Sequence, residues 1–175
     1  MQRGVSLAIM IALLMWSVLG ATPRRPVSVQ PVSLFERQCA SCHGKEGAMF
    51  TTPFESKYAS LADLREMVRS MPGAGTLDEA GLQALVAYMR AISRGEPFVI
   101  WTGERGGQIE GEVSPTNALL TAVAGRKPLP VERLGGSRWR IRLPAGVKPG
   151  DVQLRARLGS KSVSLSLKQA SMTPL

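Results

Sequence analysis

The chain has very few residues that could bind a metal or form a disulfide. Its 175 residues include two cysteines and one histidine, and aromatic residues make up 5% of the sequence. A structural zinc site normally needs four Cys or His ligands, so three such residues argue against one. The single histidine excludes bis-histidine coordination of an iron within one chain. The C-terminal half contains no cysteine pair that could form the disulfide that links the two sheets of antibody-type domains.

The three rare residues lie together. Cys39-Ala40-Ser41-Cys42-His43 has the form C-x-x-C-H, which is typical of c-type haem attachment. Two thiols at this spacing can add across the two vinyl groups of one porphyrin, and the imidazole that follows lies under the iron. A thioredoxin-like C-x-x-C would need a preceding buried strand, whereas the flanking sequence is helical, and a plain disulfide would leave His43 unexplained. The motif predicts one covalently bound haem c.

The N-terminus has the pattern of an export signal. Arg3 precedes an apolar run over residues 5–19, and small residues follow at Gly20 and Ala21, which predicts a secretory signal peptide over residues 1–21. The alternative is an uncleaved anchor in the inner membrane, although about 15 apolar residues are short for a span. No cysteine follows the run, which excludes a lipoprotein anchor. Either form predicts a periplasmic or otherwise exported location, and residues 22–31, with three prolines, predict an extended linker.

Residues 32–95 predict a small all-α domain. Capping-box patterns mark three helix starts: Ser33 with Glu36, Ser60 with Asp63, and Thr76 with Glu79. The second helix is expected to end at Met71-Pro72, because proline disfavours a helical residue before it. In the third helix, apolar residues from Leu82 to Ile92 follow the spacing of one helical stripe. Three helices around one haem are therefore expected.

The order of these features resembles the class I cytochromes c. Residues 33–93 contain a helix, C-x-x-C-H-G, an irregular loop, a short helix, Met-Pro, and a final helix of the form Leu-x-x-Leu-Val-x-Tyr-Met. The resemblance implies that Cys39 and Cys42 carry the thioether bonds, that His43 is the proximal iron ligand and that Met71 is the distal one. The spacing between His43 and Met71 is short for the family.

The residues themselves also favour a methionine as the distal ligand. A six-coordinate iron without a second histidine needs a thioether, a lysine, an amine or an outside ligand. Met71 is favoured because Pro72 and the following glycines predict an extended loop, whereas Met67 and Met89 lie on apolar helix faces and are expected in the core. Met49, in the loop after the attachment motif, is the alternative. A His/Met pair raises the reduction potential.

Residues 96–175 predict a second domain of all-β class. Short apolar runs separated by Gly, Pro, Asn and Ser favour a sandwich. The expected strands are 97–101, 108–113, 119–124, 131–134, 139–143, 152–158 and 163–167. The pattern of residues 139–150, followed by two alternating strands, resembles bacterial immunoglobulin-like modules.

The net charge of +9 lies mainly in this second domain. Residues 96–175 hold twelve Lys or Arg against six Asp or Glu, whereas residues 32–95 hold seven of each. Strand alternation predicts an arginine-rich sheet face formed by Arg138, Arg140, Arg142, Arg155 and Arg157. This face could dock an acidic redox partner, such as a dehydrogenase or an oxidase, or associate with anionic lipid or cell-wall polymer; a solvated surface is the alternative. Nucleic acid is not an expected partner of an exported chain.

These features predict an electron-transfer protein. The β half has no His or Cys and no nucleophile-elbow serine, so no catalytic constellation is found there. The chain is therefore expected to be a monohaem electron carrier, or the cytochrome subunit of an oxidoreductase, rather than an enzyme by itself. Two alternatives stay open: a haem peroxidase or gas-binding sensor with an open distal site, and a wall-associated structural module.

Overall fold

The computed structural model describes residues 27–168, in which a helical region is followed by an all-β region. The predicted signal peptide (1–21) and residues 22–26 of the predicted linker lie outside the described residues. None of the helices in the described range is long and apolar enough to cross a membrane.

The helical region contains four α-helices and two single 3₁₀ turns. The helices are α1 (Pro31–Gln38), α2 (Ala40–His43), α3 (Leu61–Ser70) and α4 (Glu79–Ser93), and the 3₁₀ turns are Lys45–Gly47 and Phe54–Lys57. The expected helices are present, and α2 continues directly from α1 through Cys39. Their apolar faces form one core, whose fully buried side chains include Phe35, Leu64, Leu82, Tyr88 and Met89.

Only one of the three predicted capping boxes caps a helix start. Ser60 caps α3, because its hydroxyl accepts from the Asp63 N–H at 3.1 Å. The prediction for Ser33 was wrong: α1 begins two residues earlier at Pro31, a residue that suits the first helical position because its missing N–H needs no partner. The prediction for Thr76 was also wrong, because Asp78 caps α4 instead and accepts from the Gly81 N–H at 2.7 Å.

The all-β region consists of two antiparallel four-stranded sheets. The strands are β1 (Phe98–Arg105), β2 (Gln108–Ser114), β3 (Leu119–Ala124), β4 (Lys127–Leu129), β5 (Glu132–Gly135), β6 (Arg138–Arg142), β7 (Val152–Leu158) and β8 (Lys161–Ser166). The strand order is β1-β2-β6-β5 in the first sheet and β4-β3-β7-β8 in the second. β4 is not among the predicted strands; its Pro128 is tolerated because β4 lies at the edge of its sheet. The all-β class is confirmed, and the immunoglobulin-like topology stays a prediction.

The two sheets share one apolar core. Val99, Ile109 and Trp139 of the first sheet and Val152 and Leu154 of the second belong to the same buried cluster. Glycine is required at position 111 of β2, because an added Cβ would clash with the carbonyl oxygen of β1 opposite it and with the Trp139 ring.

The helical region packs on the outer face of the first sheet. Phe98 and Ile100 of β1 belong to the helical core rather than to the core between the sheets. The Tyr88 ring of α4 contacts Phe98 with 5.3 Å between centroids, and its hydroxyl lies 3.4 Å from the Ser114 hydroxyl of β2. The two regions therefore meet along an interface that is largely buried and includes both aromatic and polar contacts.

Candidate haem site

Cys39, Cys42 and His43 lie on one face of a continuous helical turn. The His43 N–H donates to the Cys39 carbonyl at 3.0 Å, and residues at positions i, i+3 and i+4 share a helix face. Both cysteines are free thiols; Cys39 is buried and Cys42 is exposed. Burial, with a smaller contribution from Cys42, raises the pKa of the Cys39 thiol. The spacing thus presents two thiols and one imidazole on the same side.

Aromatic rings surround the imidazole. The His43 ring stacks on Phe35 with 6.3 Å between centroids and lies 5.2 Å from Phe50. Phe50 contacts Phe54 at 5.3 Å, and Phe54 contacts Tyr58 at 5.7 Å. The segment after the attachment motif was predicted to be an irregular loop, and its three aromatic residues form one continuous group that begins beside His43.

The loop that contains Met71 lies against the end of the attachment helix. Gly73 has a φ of +84°, and a Cβ there would clash with the side chain of Gln38, the residue before Cys39. Met71 is half-buried and packs against the helical core. The glycine thus allows the loop to approach the attachment motif closely.

The alternative ligand Met49 also lies close to the motif. Its N–H donates to the His43 carbonyl at 3.0 Å, but its side chain is 66% exposed. Among the other methionines, Met89 is buried as expected, whereas Met67 is 43% exposed, so the prediction of a core position for Met67 was wrong. The reason is that α3 buries only the stripe of Leu64 and Val68. The choice between Met71 and Met49 stays a prediction.

The residues present fit a covalently bound haem. The donors are two free thiols and a half-buried imidazole next to them, which are the groups that c-type attachment uses.

The five predicted arginines do not share one face. Arg138, Arg140 and Arg142 point outward from β6 in the first sheet, whereas Arg155 and Arg157 point outward from β7 in the second sheet. Because the inner faces of the two sheets pack against each other, these two sets lie on opposite sides of the β region. Alternation along a strand tells which residues point outward, but it does not tell which sheet the strand joins.

Only the first set lies on the face that the helical region also covers. Arg138 pairs in register with Glu112, which contacts α1. Acidic neighbours partly neutralise the positive charge of these arginines. The Arg140 guanidinium lies 2.7 Å from the Glu110 carboxylate and 3.9 Å from the Glu132 carboxylate. We define Arg138, Arg140 and Arg142 as the β6 arginine strip.

Sequence reasoning missed Glu112. This carboxylate of β2 is 0% exposed and accepts from the N–H groups of Val32 at 2.8 Å and Ser33 at 3.0 Å. The hydroxyls of Ser33 and Ser137 also donate to it. An acidic residue in an alternating strand is ordinarily a solvated one, and no local signal indicates that a helix end would cover it.

Residues 29–89 match the family model described as cytochrome c oxidase, cbb3-type, subunit III. No family model matches the β region. No curated protein and no solved structure gave a significant match to the chain. The matched segment contains the attachment motif, and its similarity to this cytochrome family suggests haem c binding and haem-based electron transfer.

Proposed function

We propose that the chain is an exported monohaem c-type cytochrome that carries single electrons between redox partners. Cys39 and Cys42 hold the haem through thioether bonds, His43 is the proximal ligand and Met71 is the distal one. The observation that carries this proposal is the placement of both free thiols and the sole histidine on one helix face, inside the domain that matches the cytochrome family. A bound haem supplies a ferric/ferrous one-electron couple.

The protein's own residues tune this couple and restrict access to it. With His43 and Met71 as its ligands, a bound haem would be stabilised in the ferrous state, and its reduction potential would be raised. Phe35 and Phe50 pack against the imidazole and hold its ring orientation while limiting contact with water. No bond to substrate is made or broken in this function, so the required steps are binding a donor, accepting one electron and releasing it to an acceptor.

Covalent haem attachment is the first expected result. Protein secreted by a bacterium that is competent for cytochrome c maturation should have the polypeptide mass plus one haem, and the haem should stay with the chain under denaturing conditions. Replacing both cysteines (Cys39→Ser with Cys42→Ser) should abolish this retention, because no thioether bond can then form. Ser41→Ala is the matched control within the motif. A wild-type chain whose mass is that of its amino acids alone would reject the proposal and favour a structural module.

The β6 arginine strip is proposed as the docking site for an acidic redox partner, because it lies on the face that also carries the haem domain. Replacing Arg138 and Arg142 with glutamine should slow oxidation of the reduced protein by the hexacyanoferrate(III) anion roughly tenfold at low salt. The difference should shrink at high salt, since screening weakens steering. Stopped-flow absorbance measures the rates.

The opposite arginine pair is the control. Arg155→Gln with Arg157→Gln removes the same charge from the other side of the β region, so it should change the rate much less. A cationic oxidant, tris-phenanthroline cobalt(III), should react no more slowly with either variant. If both double variants slow the oxidation by hexacyanoferrate(III) equally, the rate depends on net charge alone and the strip is not a docking site.

A further inference from the structure

Residues 31–47 form the haem-attachment segment. The β region makes hydrogen bonds with this segment near both ends of the segment. We propose that it thereby positions the His43 imidazole, with Glu112 as the principal positioning residue. This inference rests on the proposed function in one respect: the test uses the bound haem to report the position of the imidazole. The attachment motif itself lies between the two points where the β region makes contact.

The first contact is at the N-terminus of α1. No side chain near α1 in sequence caps it. Pro31 has no N–H, and the first intrahelical bond is from the Leu34 N–H to the Gln30 carbonyl at 2.8 Å. The N–H groups of Val32 and Ser33 therefore need another acceptor.

Glu112 supplies that acceptor from 80 residues away along the chain. Its two carboxylate oxygens serve different donors, since one accepts from the Val32 N–H and the other accepts from the Ser33 N–H. A carboxylate at a helix N-terminus is also favoured by the helix dipole. Because Ser137 of the β5–β6 turn donates to the same carboxylate at 3.2 Å, its position is fixed by the β region and not by α1 alone.

The second contact is just beyond His43. The Glu46 carboxylate accepts from the Thr116 N–H of the β2–β3 loop at 3.1 Å. The Glu46 N–H in turn donates to Glu36 of α1 at 2.8 Å, and Arg133 of β5 donates to the Thr116 carbonyl. Glu46 has a φ of +50°, a conformation that costs energy for a residue with a side chain and that these bonds help to maintain.

Fixing both ends limits how the helix carrying the motif can tilt or rotate. The residues from Val32 to Glu46 form α1, the motif and one 3₁₀ turn, with no long loop between them. A shift at either end therefore moves Cys39, Cys42 and His43 together. The β region, which no family model matches, thus completes the support of the helix that carries the haem.

The test replaces Glu112 in the full-length, haem-loaded protein. Glu112→Ala should make the Val32 and Ser33 amides exchange with solvent about fivefold faster or more, as expected for loss of a helix cap. It should also shift the reduction potential and weaken the methionine-to-ferric-iron charge-transfer band at the red end of the visible spectrum. Glu110→Gln, two residues away on the same strand and paired with Arg140, should leave exchange and spectrum unchanged.

Two further variants keep the test decisive if Glu112→Ala does not fold. Glu112→Gln keeps the shape and one acceptor oxygen, and Glu46→Asn removes the reach to Thr116 while tolerating a positive φ. Each should weaken the band and shift the reduction potential in the same direction as Glu112→Ala, by a smaller amount. Faster exchange at Val32 and Ser33 with an unchanged band and potential in all variants would overturn the inference, because Glu112 would then be only a structural cap. A wild-type protein without covalent haem would instead reject the proposed function.

Discussion

Replacing Met71 with alanine in the haem-loaded protein is expected to lower the reduction potential and to open the ferrous iron to carbon monoxide. In the proposed site the Met71 thioether is an iron ligand, and a thioether ligand favours ferrous iron. The expected decrease is on the order of 0.1 V or more, within the roughly 0.8 V range over which axial ligands set haem potentials. Redox titration measures the decrease in reduction potential, and difference spectra recorded with carbon monoxide measure its binding to the ferrous iron.

The structure gives this prediction matched controls. Met49 and Met67 are both exposed methionines of the helical region, so Met49→Ala and Met67→Ala should leave the potential and the charge-transfer band nearly unchanged. If Met49→Ala abolishes the band while Met71→Ala does not, Met49 is the distal ligand. Ready carbon monoxide binding by the untreated wild-type ferrous protein would favour a gas-binding or peroxidase function instead.

Local signals in the sequence predicted most of the elements. Ser60 and Asp63 are three residues apart and their interaction is confined to one helix turn, so the start of α3 could be predicted correctly. The bounds of β3 and β7 agree with the predicted runs at residues 119–124 and 152–158. The α3 cap is an interaction between neighbours in sequence; β3 and β7 pair with each other over a long sequence separation, but their bounds follow the local run of apolar residues.

The error at Ser33 occurred where a distant residue competes with local ones, whereas the residue that replaces Thr76 as the cap, Asp78, is only two positions away. Ser33 and Glu36 have capping-box spacing, yet Ser33 donates to Glu112 and Glu36 accepts from Glu46. Because Pro31 starts α1 earlier, Ser33 lies inside the first turn, where a local box cannot form. An interaction between residues 33 and 112 depends on the tertiary fold, and one sequence read by itself does not reveal it.

The same reasoning explains why the residues of the candidate haem site were easier to predict from the sequence than those of the proposed docking surface. Cys39, Cys42 and His43 lie within one turn, so their spacing alone indicates that they share a face. The arginines of β6 and β7 are also outward-facing as predicted, but strand order decides which of them are neighbours. The position of a residue within an element follows from local pattern, whereas the arrangement of elements depends on long-range packing.

Replacing Tyr88 with alanine is expected to cause a large loss of stability in both regions of the protein. Tyr88 is 0% exposed, and its ring contacts Phe35 of α1 at 5.4 Å and Phe98 of β1 at 5.3 Å. Truncating a buried aromatic of this kind costs about 3–5 kcal/mol. In urea unfolding, Soret absorbance reports on the helical region and the fluorescence of Trp101 and Trp139 reports on the β region; both midpoints should fall together.

Tyr58 provides the matched control for this substitution. It is the other tyrosine of the chain and is only half-buried, so Tyr58→Ala should shift the midpoints much less. Tyr88→Phe keeps the ring contacts and loses only the long hydrogen bond to Ser114, which should cost about 0.5–1.5 kcal/mol.

Burial raises the pKa of Tyr88, so the phenol favours folding below the unfolded pKa of about 10. The wild type should therefore lose stability relative to Tyr88→Phe above that pH. A fall in the Soret midpoint alone for Tyr88→Ala would contradict the interface, because it would mean that the β region keeps its stability without this contact.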